Sequence, residues 1–179
     1  MKVYERGLRF ECRRCGQCCV STREDMGVYL YLSDIARISE SLGLTKESFA
    51  AKYCFFRQRR PGPEAIQRIQ VKKRKDGACV FLKEGRCEIY RMRPVLCRFG
   101  PFARSLMESP ESFRLFRAIC RGIDSGRLYP EEEIRRCLRR ESRLEEQYQI
   151  DLAADLFLNT IFYSSRSNSN KPVSRGAAS

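Results

Sequence analysis

The sequence predicts an α+β fold, mainly helical: a small single domain with irregular cysteine-rich loops and short strands organised around a metal centre. Three observations predict it. The chain has 179 residues, 42% hydrophobic and 32% charged, the composition of a folded domain with one core of ordinary size. Apolar residues recur at helical spacing in roughly four or five segments, whereas strand signals are short and interrupted by turn residues. Ten cysteines occur with no histidine, and most of them fall between the periodic segments.

Residues 1–32 read as an extended arm and loop carrying Cys12, Cys15, Cys18 and Cys19, and ending in the β-rich run "GVYLYLS", which suggests a short strand. Ser33 is expected to cap a helix in which Ile35, Ile38 and Leu42 share a face and Gly43 supplies the stop. Thr45 opens a second helix to about Phe56, with Phe49, Tyr53 and Phe56 on one stripe, ended by "RRPGPE" at 59–64. From Ile66 the period changes to partial alternation. The turn signals Asp76-Gly77 and Glu84-Gly85 divide it into short strands or hairpins carrying Cys79 and Cys87. Ser109-Pro110 opens a helix ending near Gly122, with Cys120 in its last turn. Pro130 starts a final helix, in which Glu131, Glu132 and Glu133 complement the N-terminal dipole. Ile134, Leu138, Leu144, Tyr148 and Leu152 repeat along it to about Tyr163. The expected organisation is one cysteine-cluster domain over 1–163 and a Ser/Asn-rich disordered tail at 164–179.

No run approaches the roughly 20 apolar residues of a membrane span, and the charged start of the chain lacks the apolar stretch of a signal peptide. The expected location is therefore cytoplasmic, without membrane association. A reducing cytosol favours metal-binding or redox thiols over disulfides. A Cys18–Cys19 bridge would also be strained, because adjacent Cα atoms lie about 3.8 Å apart. The absence of histidine excludes Ser/His/Asp and Cys/His nucleophile arrangements. Any zinc site must then use thiolates, with or without carboxylates.

Cys-x-x-Cys suits metals because a tight turn lets two sulfurs converge on one ion, and Cys12, Cys15 and Cys18 repeat that step twice. Gly16 between them can take a positive φ and turn backbone N–H groups toward sulfur. Three close cysteines and a remote one also describe iron–sulfur ligation, so spacing leaves zinc and iron open.

"CRRCGQCC" followed by "GACVFLKEGRCEIYRMRPVLCR" resembles the bacterial and archaeal YkgJ-like cysteine-cluster family, described as zinc- or iron-chelating. The resemblance runs from about Phe10 to Ile123, with a helical extension at about 130–163. It includes Cys12-x-x-Cys15-Gly16-x-Cys18-Cys19, the Asp34-Ile35 helix, Cys79-x-Phe81-Leu82, Cys87-x-Ile89-Tyr90, Arg93-Pro94-x-x-Cys97-Arg98 and Cys120-x-Gly122. Val80 departs from the proline usual in its segment, and Gly100 stands where the pattern has phenylalanine; both bear on packing more than on ligation. The resemblance implies eight ligand thiols: Cys12, Cys15, Cys18, Cys19, Cys79, Cys87, Cys97 and Cys120. Cys54 and Cys137 match no cysteine of the pattern and read as small buried hydrophobes on helices.

Arg93 and Arg98 flank Cys97, where a permanent cation lowers a thiol pKa and orients it, or else contacts a phosphate or carboxylate. Tyr90 and Phe81 read as core residues. The formal charge of +13 suits weak, non-specific nucleic-acid binding, although four thiolates on one zinc ion would lower it by two. The function expected is a metal-binding protein holding zinc or iron, the iron as an ion or an iron–sulfur cluster, in a structural, redox or metal-handling role. Two alternatives stand beside it. The cysteine region is also similar to one in flagellin lysine N-methylases, which implies an iron–sulfur-dependent methyltransferase, and the basic charge allows a zinc-ribbon-like nucleic-acid binder. Catalysis, a catalytic residue and a protein partner are left open.

Overall fold

The computed structural model describes residues 3–21, 27–58 and 67–154. The fold is α+β, with six helices and three two-stranded antiparallel ribbons among the described residues. The helices are α1 (Leu32–Ser41), α2 (Lys46–Tyr53), α3 (Val95–Phe99), α4 (Arg104–Met107), α5 (Pro110–Ile119) and α6 (Glu131–Ala154). The strands β1 (Leu8–Phe10) and β6 (Arg127–Tyr129) pair with each other, as do β2 (Cys54–Gln58) with β3 (Gln67–Val71) and β4 (Leu82–Lys83) with β5 (Arg86–Cys87). The expected turn at 59–64, the last turns of the final helix beyond 154 and the tail at 164–179 lie outside the described residues.

Local chemistry accounts for the helix starts. Thr45 and Ser109 accept the N–H groups of Ser48 and Ser112, each at 3.1 Å, satisfying donors with no partner inside the helix. α1 begins one residue before the expected cap: Asp34, in its first turn, accepts the N–H of Tyr31 at 3.4 Å, so Tyr31 and not Ser33 is the capping residue. α2 stops at Tyr53, three residues short of the expected end. Cys54, Phe55 and Phe56 pair instead with Val71, Gln70 and Ile69, a pairing whose partner lies beyond the local window that suggested a helix. "GVYLYLS" forms no strand; Tyr29 makes a single bridge to Gln70 and α1 begins at Leu32. Glu84-Gly85 turns the β4–β5 hairpin as expected.

Two apolar clusters carry most of the burial. The first joins Leu30, Ile35, Ile38, Phe49, Ile69 and Phe81, with Cys54 inside it and Cys79 and Cys87 at its margin. The second joins Tyr4, Leu8, Phe102, Met107, Phe113, Ile123, Ile134 and Leu138, with Cys120 and Cys137 packed against it. Burying each such aliphatic or aromatic side chain contributes roughly 1.5–3 kcal/mol.

α6 ties the chain together. Ile134 and Leu138 enter the second cluster, while further along Tyr148 packs edge-on against Tyr31 and its hydroxyl accepts the N–H of Ile69 at 3.1 Å. Arg68 pairs with Glu145 beside it. The charged face of the helix is laced by Arg135–Glu131 and Arg139–Glu132 pairs at 2.5 and 2.7 Å, exposed contacts that solvent and salt screen.

Candidate metal centre

The cysteine loop begins where β1 ends. Glu11 donates its N–H to the Gly122 carbonyl at 3.0 Å, and Phe10 bridges Ile123, so Cys12 is anchored beside the segment that carries Cys120. The chain then turns at Gly16, φ +73°, into a single 3-10 turn, Gln17–Cys19. A Cβ at Gly16 would stand 3.0 Å from both the Gly85 carbonyl oxygen and Leu82 Cδ1. Glycine therefore serves twice: it supplies the left-handed backbone and lets the loop lie against the β4–β5 hairpin that bears Cys87.

Main-chain pairing brings the other loops in. Cys79 donates its N–H to the Cys19 carbonyl at 2.8 Å, Val20 bridges Ala78, and Ser21 donates to the Gly77 carbonyl. Cys87 stands opposite Leu82 in the hairpin. Cys97 sits in the middle of α3, and Cys120 caps the end of α5 rather than lying in its last turn.

The position of α3 is set by α1. Asp34, fully buried, accepts the N–H of Val95 at 3.0 Å and the Arg37 guanidinium at 2.7 Å. Arg37 also donates to the carbonyls of Met92 and Arg93, at 2.8 and 3.1 Å. One ion pair thus holds both ends of the turn leading into the Cys97 helix. The matched Asp34-Ile35 step pointed to this helix, and the Asp34/Arg37 spacing of three was the signal for the pair; Arg37 itself was missed.

All ten cysteines are free. Cys18 and Cys19 present their sulfurs 4.0 Å apart. The Cys19 thiol donates to Cys18, which brings Cys18 down to about 7 and pushes Cys19 far up, assisted by burial and by the charges of Cys18, Cys97 and Cys79. Burial, and then the neighbouring Cys18, Cys79 and Cys87, push the Cys97 thiol up. Burial also raises Cys79, Cys87 and Cys120, and the field of Cys18 reaches each of them. Cys12 accepts from Arg93 Nη1 at 3.8 Å, and Cys15 is exposed, donating to Gln17 Oε1 at 3.9 Å.

As the side chains stand, no group of three or more cysteine, aspartate or glutamate residues among the described residues is arranged to hold a metal ion. The donor chemistry nevertheless fits a thiophilic cation. The Cys12–Cys19 loop docks on the segment of Cys79, on the hairpin of Cys87 and beside the segment of Cys120, and ionising several buried thiols together is opposed by burial and mutual repulsion until a cation offsets their charge. Soft thiolate donors without imidazole select zinc or iron over calcium or magnesium.

The two unmatched cysteines stand apart. Cys54 is buried in the first cluster, where burial pushes its thiol up to about 12, and it opens β2 rather than riding a helix. Cys137 lies on α6 against the second cluster. Phe81 is core, stacked on Phe49. Tyr90 is not: it is half-buried under the guanidinium groups of Arg14 and Arg93. Gly100 takes φ +62°, and a Cβ there would meet Phe10 Cε1 at 2.8 Å, a packing reason for the glycine.

A family model described as "Putative zinc- or iron-chelating domain" (CxxCxxCC) matches residues 11–121. An uncharacterized protein of Methanocaldococcus jannaschii is 26% identical over 129 residues, covering 69% of this chain and 63% of that protein. The chain thus spans less than two thirds of the length of that relative. No solved structure matches the chain. Among the described residues, no helix is long and apolar enough to cross a membrane.

Proposed function

We propose, from the premise that the chain belongs to the CxxCxxCC family of zinc- or iron-chelating domains, that it is a cytoplasmic protein which holds zinc or iron through cysteine thiolates in a metal-handling or redox role. The observation that supports this reading is the docking of cysteine-bearing segments on one another: Cys18 and Cys19 sulfurs 4.0 Å apart, the Cys79 N–H on the Cys19 carbonyl, and Gly16 against the hairpin of Cys87; Cys97 on α3 joins them in the proposal. With Cys12, Cys15 and Cys120 these form the proposed ligand pool. Bound zinc would supply structural cross-linking, and bound iron a redox centre.

The chain's own residues perform the preparatory work. Asp34 and Arg37 fix the helix of Cys97, Gly16 lets the CxxCxxCC loop close on the hairpin, and Arg93 places a permanent cation 3.8 Å from the Cys12 sulfur. The basic run at 72–75 gives no support to a nucleic-acid interface. Lys72 donates to the Ala51 and Lys52 carbonyls, Lys73 to that of Ser21, and Arg74 to that of Leu82 and to Asp76, so three of its four cations stitch loops together.

Metal analysis with a visible spectrum on protein purified without oxygen tests the proposal. Stoichiometric zinc, or iron with thiolate absorption in the visible, is the expected result. Fully folded protein with no metal and ten titratable thiols would overturn it.

A further inference from the structure

Beside the cysteine loops lies a cavity of about 410 Å³ lined by Arg14, Tyr90, Arg91, Arg93 and Arg98. Among the described residues its lining contains four permanent cations and no carboxylate. Among the described residues, none of these four arginines forms a salt bridge, whereas Arg37, Arg68, Arg104, Arg117, Arg127, Arg135 and Arg139 all do. In a chain with 22 acidic residues, a four-arginine concavity with no acidic partner among the described residues is a local feature of this site and not a mere consequence of net charge.

The arginines are also held in place. The guanidinium carbons of Arg14 and Arg93 each lie 4.2 Å from the centroid of the Tyr90 ring, whose electron-rich face offsets part of their mutual repulsion and restricts their rotamers. Arg14 reaches this position from a backbone at φ +53°, a conformation that costs a non-glycine residue energy and persists where the surroundings require it. Arg91 and Arg98 complete the cavity wall from the residues on either side of the Arg93-Pro94 turn.

Guanidinium groups converging without a carboxylate form a receptor for an oxyanion, since each presents paired N–H donors that match two oxygens of a phosphate. The volume exceeds that of a bare phosphate and lies in the range of small-molecule sites. The cavity is local, whereas a polymer backbone requires an extended basic track; the basic run at 72–75 is engaged with loop carbonyls. We propose that this cavity binds the phosphate group of a small phosphorylated molecule, with Arg14, Arg91, Arg93 and Arg98 as donors and Tyr90 as the platform that organises two of them. The site borders the thiol loops: Arg93 donates to Cys12, and Arg14 and Arg98 stand next to Cys15 and Cys97 in the sequence.

Calorimetric titration of inorganic phosphate and pyrophosphate into the protein as purified, at a fixed ionic strength of about 0.15 M, tests the proposal. Saturable binding at one site is expected, with pyrophosphate tighter. Arg91→Gln should weaken it by roughly tenfold or more. Arg14→Gly should do the same without loss of fold, because glycine accepts the positive φ that arginine tolerates poorly. Arg139→Gln, which removes an equal charge that is paired with Glu132 on α6 and is not among the cavity's lining residues, should leave affinity unchanged. Equal weakening by Arg139→Gln would mean diffuse electrostatics and overturn the proposal, as would no saturable binding up to about 10 mM of either probe. Single-stranded RNA that binds through Arg14 and Arg91 but is not displaced by pyrophosphate would also overturn it, in favour of a nucleic-acid backbone.

Discussion

The carboxylate of Asp34 accepts the backbone N–H of Val95 at 3.0 Å, so a residue of the first helix caps the helix that carries Cys97, 61 positions further along the chain. The same carboxylate holds Arg37, which in turn grips the carbonyls of Met92 and Arg93. Asp34→Ala would leave a buried N–H without an acceptor and Arg37, itself partly exposed, without its counter-charge. The expected cost is about 2–4 kcal/mol, measured as a shift of the urea midpoint, together with weaker metal retention. Asp34→Asn keeps one acceptor oxygen and should cost less. An unchanged midpoint in the alanine variant would show that the clamp does not hold α3.

Thiol chemistry gives a prediction for the metal-free protein. Cys18 has a folded pKa lowered to about 7, chiefly by the thiol of Cys19, which keeps its own proton. Alkylation with iodoacetamide, followed by peptide mass spectrometry, should therefore label Cys18 with a midpoint near pH 7, while Cys19 and Cys97 stay unlabelled well into the alkaline range. Because the folded pKa lies below the unfolded value of about 8.5, the stability contributed by Cys18 is present above that value and is lost as pH falls through about 7. Uniform labelling of all three cysteines with a midpoint near 8.5 would contradict the pairing.

Legibility in the sequence followed the range of the interaction. Thr45, Ser109-Pro110 and the Glu84-Gly85 turn could be read because each acts on its own neighbours, and the positive φ of Gly16 could be read for the same reason. Cys54 was placed on a helix because Phe49, Tyr53 and Phe56 make a plausible stripe, yet its strand partner Val71 lies 17 residues away. The pairing of Leu8 with Tyr129 is more remote still. At the site, spacing pointed to Cys12, Cys15 and Cys18 and the family resemblance to the other five candidate thiols, but neither showed that Arg93 would reach Cys12 or that Tyr90 would lie beneath two guanidiniums. Those contacts depend on how the loops dock.

Gly100 supplies a test of that docking. Its φ of +62° and its approach to Phe10, where a Cβ would stand 2.8 Å from Cε1, make Gly100→Ala unfavourable by roughly 1–3 kcal/mol from backbone strain alone. Displacing Phe10 also moves the strand end that leads into Cys12. A lower melting temperature accompanied by reduced metal content is expected, whereas Gly43→Ala, whose Cβ would meet nothing within 4 Å, should cost only its own positive-φ strain and leave the metal in place. Loss of metal in both variants to the same extent would remove the link between Phe10 and the site.

The ligand thiols separate from the spectators by metal content and not by stability. Cys15→Ser and Cys97→Ser should lower metal stoichiometry and stability together, because metal binding and folding are coupled and a missing thiolate leaves the remaining sulfurs clustered with less offsetting charge. Cys54→Ser and Cys137→Ser should keep the metal, although the buried Cys54 site could cost about 1–3 kcal/mol when a hydroxyl enters it. Inductively coupled plasma mass spectrometry on the folded variants is the deciding measurement. Cys19 is the discriminating case, since it sits 4.0 Å from Cys18 and its carbonyl receives the N–H of Cys79. A ligand role predicts that Cys19→Ser loses metal as Cys18→Ser does. Full metal content in the Cys19 variant, with loss in the Cys18 variant, would replace the eight-thiol pool by a four-ligand site built on Cys12, Cys15 and Cys18.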